Sequence, residues 1–213
     1  QDVILGCVSP IGEQGANIAR LAALKAGFPV EVPGITLNRM CGSSQQALHF
    51  AAQAIASGDM EVVIAGGIES MSRVPIGSDW PKEWPADFPY RLVHQGLSAE
   101  MVAEQWNLSR EALDDFAYES HVRAGTATRE GRFEREILPI PVGADGGTAY
   151  APSGGATRLV TADEGIRFNP DRAKMAALKP VFKEGGVITA ANSSQISDGA
   201  AALLLASEAA VKQ

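Results

Sequence analysis

The spacing of apolar positions changes along the chain, and the change divides it. In residues 1–72 short apolar runs of strand length alternate with longer stretches of helical period. Residues 3–8 predict a strand, and 15–26 an Ala-rich helix ended by Gly27. Residues 35–40 predict a second strand. Residues 44–57 predict a helix with Ala47, Leu48, Ala51, Ala52 and Ile55 on one face, stopped by Gly58-Asp59. Residues 61–65 predict a third strand running into Gly66-Gly67. Strands alternating with helices imply a mostly parallel sheet built from βαβ crossovers, and the many alanines imply close packing of helices on it.

The texture then changes. Residues 78–90 hold two tryptophans and three prolines in an irregular span. Residues 98–106 predict a short helix. Ser109 predicts the cap of the longest helix, whose core stripe is Leu113, Phe116, Ala117, Ser120, Ala124 and Ala127, ending at Gly131. Residues 133–142 read as extended, 143–165 as a Gly-rich loop, and 171–178 as a short helix. From 187 the first texture returns: the polar turn Asn192-Ser-Ser-Gln-Ile-Ser-Asp-Gly199 leads into a buried-strand run, Ala200 to Ala206, that rejoins the first sheet. The expected organisation is an α/β core of residues 1–72 plus 186–213, with 73–185 inserted as a loop-bearing domain where binding residues tend to sit.

Composition narrows the class. The chain has 213 residues, 46% hydrophobic and 20% charged, which is globular. It contains no apolar run of about 18 residues, so no transmembrane helix is expected. The N-terminus has no basic segment of a signal peptide. Two cysteines imply a reducing, cytoplasmic compartment rather than a disulfide framework, and no Cys/His cluster has metal-ligand spacing, so no metal is expected. The net charge of −7 argues against nucleic acid as the partner. Both ends read as cut: the chain opens directly on a strand, and a helix begun at Ser207 has room for barely two turns.

Two features carry chemistry. Cys41 follows a strand and precedes a helix, in Cys41-Gly-Ser-Ser44. There the helix dipole favours thiolate, the form a covalent catalyst needs. The competing reading is a small buried hydrophobe. Arg167, Arg172, Lys174, Lys179 and Lys183 form a basic stretch against Asp171 alone in its run. That suits a phosphorylated ligand, although charge alone favours the reading of a solvated helix face.

Three segments together resemble the thiolase family. Asn38-Arg-Met-Cys-Gly-Ser43 before an Ala-rich helix is similar to the thiolase nucleophile segment. Ala65-Gly-Gly-Ile-Glu-Ser-Met-Ser72 resembles the Gly-Gly-x-Glu-Ser-Met-Ser loop, and Thr189-Ala-Ala-Asn-Ser-Ser-Gln-Ile-Ser-Asp-Gly-Ala-Ala-Ala202 the Thr-Ala-Gly-Asn segment. Their order and the similarity of the linking regions cover essentially the whole chain. The resemblance implies a layered thiolase-like fold with a mixed, mostly parallel sheet flanked by helices, a helical and loop insertion for coenzyme A, and a C-terminal half that is absent. It implies acyl transfer in fatty acid metabolism. Cys41 attacks the 3-keto carbon of a 3-ketoacyl-CoA, acetyl-CoA leaves, and a second CoA takes the acyl group from Cys41; the reverse is condensation. The partners implied are CoA and acyl-CoA as substrates, with no separate cofactor, no nucleic acid and no membrane, in a homodimer or homotetramer.

The resemblance also assigns the coenzyme A contacts. Arg167 falls near the nucleotide end, and Met175, Leu178 and Phe182 along the adenine and pantetheine, unless these three are ordinary core. Ala190 and Ser194 match pantetheine neighbours, Ser194 being equally readable as a turn residue. His94, in His94-Gln-Gly96, matches a position near the pantetheine in short-chain enzymes. Departures are Ser44, Ala191 and Gln195 at family glycines and Gln95 at a methionine. The family's Asn-Glu-Ala-Phe segment, Gly-His-Pro histidine and second catalytic cysteine do not occur; His49 and His121 lack that context, and Cys7 reads as buried in the first strand. The alternative is a thiolase-like protein without turnover that binds acyl-CoA or a partner surface.

Overall fold

A computed structural model describes residues 1–142 and 158–212. They form two compact units: Gln1–Phe88 with the chain from Ile196 onward, and Pro89–Gln195. The boundaries expected from sequence were 72/73 and 185/186. The Trp- and Pro-containing span thus clusters mostly with the first unit, and the polar turn up to Gln195 with the second.

The first unit is a four-stranded sheet, with helix α1 (Ile18–Lys25) on one face and α2 (Ser43–Ser57) on the other. The strands are β1 (Asp2–Gly6), β2 (Gly34–Leu37), β3 (Val62–Ser70) and, late in the chain, β6 (Asp198–Ala206), in the order β2-β1-β3-β6. β1 runs parallel to β2 and β3, while β6 is antiparallel to β3. The strand period of two sorts the core. Val3 and Leu5 pack on Ala19 and Ala23 of α1, whereas Ile4, Val63 and Ala65 pack on Ala47 and Ala51 of α2. Alanine at the helix contacts lets both helices lie close to the sheet.

Several elements differ from expectation for local reasons. β1 stops at Gly6, so Cys7 lies just past it, although buried as expected. β2 ends at Leu37 because Asn38 begins a side-chain-directed turn. α1 starts late, since Ala16 and Asn17 take left-handed backbone and Asn17 caps the helix. β3 continues through Gly66-Gly67 to Ser70, paired residue by residue with β6. The glycines are strand residues whose missing side chains let other backbone approach. β6 was expected to be buried, but it is an edge strand covered on neither face along most of its length: Leu203 is 58% and Leu204 70% exposed. Ala52 of α2 is exposed as well. The short helix α6 (Glu208–Val211) begins where Ser207 Oγ accepts the Ala210 N–H.

The second unit carries α3 (Gln95–Gln105), α4 (Arg110–Arg129), the antiparallel pair β4 (Ile140–Val142) and β5 (Arg158–Val160), and α5 (Arg172–Ala176). Ser109 caps α4 by accepting the Ala112 N–H at 3.1 Å, as its sequence predicts. The buried stripe of α4 is rotated from the expected one. Phe116 is 81% exposed, and Asp114, Gly125 and Ala127 are the buried positions. The inward positions thus include a paired carboxylate, while Ala127 is buried as expected. Only 140–142 of the expected extended run is strand; 132–136 is turn. Most of the Gly-rich loop expected at 143–165 lies outside the described residues. Among the described residues no helix is long and apolar enough to cross a membrane.

Candidate active site

The turn between β2 and α2 is set by its own side chains. Asn38 Oδ1 accepts the Met40 N–H at 2.9 Å, and Asn38 Nδ2 donates to the Val8 carbonyl at 2.8 Å, tying the turn to the end of β1. Ser43 Oγ donates to the Met40 carbonyl at 2.5 Å and accepts the Arg39 N–H at 2.8 Å. These bonds hold Met40 at φ 49°, a left-handed conformation that costs a bulky residue roughly 1–3 kcal/mol. The result is a sharp reversal that places Cys41 immediately before Gly42, the N-cap of α2, with its side chain exposed.

The first turn of α2 sits directly on the sheet. A Cβ on Gly6 would overlap the backbone of Ser43 and Ser44, and one on Gly67 would overlap the Ser44 side chain. Glycine at these two positions is required by that approach. It brings together segments far apart in sequence. A cavity of about 490 Å³ is lined by Met40 and Cys41, by Ile68, Glu69 and Met71 of the Gly-Gly segment, and by Gly199 to Ala201 of β6. Parts of all three motifs that carry the family resemblance therefore face one space.

Its carboxylate is already engaged. Glu69 accepts the Val8 N–H at 2.7 Å and the Gln14 amide at 2.8 Å, and Gln14 also donates to the Ser9 carbonyl. Cys7, also lining the cavity, has its thiol pushed up by burial and then by the Glu69 carboxylate, which keeps it protonated. The loop after β3 is tied to β6 by Asp198, which accepts both the Ser72 N–H, at 2.9 Å, and the Ser72 hydroxyl. Hydrogen bonds from the Ser72 hydroxyl, then from its backbone, hold the Asp198 carboxyl below its usual range. Among the described residues no histidine lines this cavity: His49 lies in a separate cleft beside Arg39 and Gln46, and His121 belongs to the second unit.

The second unit has its own cavity, about 400 Å³, bounded by α4, α5 and the 190–195 segment. Arg167, Met175, Leu178 and Ala190 line it together. Ser194 is not among the lining residues, although its neighbours Ser193 and Gln195 are. His94 and Phe182 meet elsewhere in the unit, their rings 5.3 Å apart. There His94 Nδ1 accepts the Gly96 N–H at 3.1 Å, capping α3, and Phe182 covers Gly96.

The basic stretch is more neutralised than its own run indicated. Arg172 pairs with Asp115 and lies over the Tyr118 ring, Lys183 pairs with Glu104, and Lys174 stands 3.8 Å from Asp171. The Glu104 hydrogen bond raises the Lys183 ammonium above its ordinary range. Arg167 is different. Its backbone N–H is fixed by His121 Nδ1 at 3.2 Å, and its guanidinium has no partner among the described residues. His121 is a lining residue to which the sequence assigns no role, since a lone histidine on a helix carries no local signal of binding.

The comparisons with known proteins agree with this geometry. The "Thiolase, N-terminal domain" family matches residues 1–209, and the chain belongs to the thiolase family. Steroid 3-ketoacyl-CoA thiolase FadA6 of Mycobacterium tuberculosis is 46% identical over 225 residues, covering 99% of this chain and 52% of that protein. A 3-ketoacyl-CoA thiolase of Vibrio cholerae is 44% identical, covering 100% of this chain and 54% of that one. The crystal structure of the Bacillus anthracis acetyl-CoA acetyltransferase superposes with a TM-score of 0.83 at 34% identity, over 99% of this chain and 55% of that one. The fold is therefore the mixed, mostly parallel thiolase sheet with flanking helices. The chain spans about half the length of the relatives it matches.

Proposed function

We propose that the protein is an acyl-CoA acyltransferase that cleaves 3-ketoacyl-CoA thiolytically, or runs the reverse condensation, through an acyl group carried on Cys41. The observation that supports this most directly is the convergence of three family motifs on one apolar cavity with the exposed Cys41 at its wall. The Cys41 sulfur adds to the 3-keto carbon. The C2–C3 bond then breaks, its electron pair leaves with acetyl-CoA, and C2 takes up a proton. The thiol of a second CoA attacks the resulting thioester and frees Cys41. The Gly42 and Ser43 N–H groups already donate to the Arg39 and Met40 carbonyls, so it is the Cys41 N–H at the helix start that favours the oxyanion of each addition. Glu69 is spoken for by Val8 and Gln14 and serves to hold the cavity wall rather than to move protons.

Coenzyme A is assigned to the cavity of the second unit. Met175, Leu178 and Ala190 offer apolar surface for the adenine and pantetheine, and the Arg167 guanidinium, unpaired among the described residues, suits a phosphate. A homo-oligomer in a reducing, cytoplasmic setting fits family membership and the two free cysteines. Initial rates for the complete protein, with CoA and 3-ketoacyl-CoA both varied across acyl lengths, test the scheme. Parallel double-reciprocal lines are expected, because the acyl group rests on the enzyme between two half-reactions. Intersecting lines would rule out the covalent route, and saturable binding without turnover would mean a non-catalytic acyl-CoA binder.

A further inference from the structure

We infer that Arg110 and Asp114 are positioning residues for coenzyme A: one partly buried ion pair holds two separate walls of the second unit's cavity in register. The inference rests on the assignment of coenzyme A to that cavity. Arg110 and Asp114 lie one turn apart on α4, joined Nε to Oδ2 at 2.7 Å, with side chains only 23% and 12% exposed. A pair largely shielded from water is most stable when its remaining hydrogen-bonding capacity is met. Each member meets it on a different segment.

Arg110 reaches the α5 wall. Nη2 donates to the Met175 carbonyl at 2.6 Å and Nη1 to the Leu178 carbonyl at 3.1 Å. Both carbonyls belong to lining residues, and both lie at or just past the C-terminal end of α5, where a cation is favoured. Five residues of helix do not stand alone, so α5 depends on such anchors.

Asp114 reaches the other wall. Oδ1 accepts Asn192 Nδ2 at 2.9 Å, and Asn192 Oδ1 accepts the Thr189 N–H at 2.8 Å. Asn192 Nδ2 also donates to the Val187 carbonyl at 3.0 Å. These bonds fold the chain around Ala190 and Ala191, both of which line the cavity. The spacing between the Met175–Leu178 wall and the Ala190–Ala191 wall is thus set by one ion pair.

Three different nitrogens of Arg110 serve three acceptors, a geometry that the single ammonium of lysine cannot reproduce. Arg110→Lys keeps the charge and much of the bulk, and Asp114→Asn keeps the shape while losing the charge. In the complete protein each is expected to raise KM for CoA by about tenfold or more, with kcat within about twofold, since the loss falls on a binding wall and not on the reacting carbon. Partial unfolding would do the reverse, lowering kcat through the active fraction and leaving KM unchanged. An unchanged KM in both variants, with or without a fall in kcat, would overturn the inference. Arg167→Ala separates the two layers. If it raises KM for CoA while the Arg110 and Asp114 variants do not, the positioning role fails and the cavity assignment stands. If none of the three moves KM, the assignment itself has failed.

Discussion

The two cavities are built by opposite means. The one around Cys41 is made of backbone and small residues: strand ends, glycines that admit a helix, and a left-handed turn held by Asn38 and Ser43. The cavity of the second unit is made of side chains held by other side chains, with the Arg110–Asp114 pair behind its walls and Arg167 fixed through His121. The first design gives a nucleophile a fixed position at a helix start. The second gives charge and apolar surface to a large ligand, and it is open to adjustment one residue at a time. Substitutions in the first should therefore act on kcat or on folding, and substitutions in the second on KM.

The largest effect is expected at Cys41. Cys41→Ser should lower thiolysis on the order of 10³-fold or more with the fold intact, because a serine hydroxyl is scarcely ionised near neutral pH. Cys7, whose thiol is kept protonated, should tolerate alanine with little loss of activity; an equal loss at both cysteines would remove the distinction between them. Next comes Gly6→Ala. Its Cβ meets backbone of α2 that has no room to move, so stability should fall by about 1–3 kcal/mol, read as a lower Tm. An unchanged Tm would show that the first turn of α2 is not pinned to the sheet.

Arg167→Ala should raise KM for CoA by about three- to tenfold with kcat little changed, and the effect should shrink as salt is raised. Acyl-pantetheine substrates lack the nucleotide, so on them variant and parent should behave alike. The smallest effect is at Asp198. Its carboxyl is held below the usual range in the folded state, so its contribution is present above the ordinary carboxylate range and is lost as pH falls through the lowered folded value. Asp198→Asn should lower stability at neutral pH by well under about 1 kcal/mol because the site is exposed, read as a slightly lower Tm, and the difference should vanish in strong acid. A difference that grew on acidification would reverse the sign of that linkage.

The same contrast explains what the sequence made legible. Cys41 with its flanking turn, the alternation of strand and helix, and the caps at Ser109 and Ser207 are local signals, and the structure places each element close to its reading. Gly66-Gly67 was read as the end of a strand because the backbone it admits comes from Ala201, more than a hundred residues away. β6 was read as buried because three leucines after three alanines give no hint of an edge. In the second unit, Arg167, Met175, Leu178 and Ala190 were assigned through family resemblance, but His94 and Phe182 face each other instead of that cavity. The Arg110–Asp114–Asn192 network is not legible in the sequence because its members are separated by up to 82 residues and Asp114 lies beside the apolar stripe, where a charged residue reads as solvated.

Central to the account is a covalent acyl group on Cys41. The most direct measurement is to mix the complete protein with 3-ketoacyl-CoA in the absence of free CoA, quench, digest and weigh the peptides. The account predicts the mass of one acyl group on the peptide containing Cys41, discharged when CoA is added before the quench. Acyl mass on a peptide lacking Cys41, or turnover with no acylated peptide at any time, would contradict it.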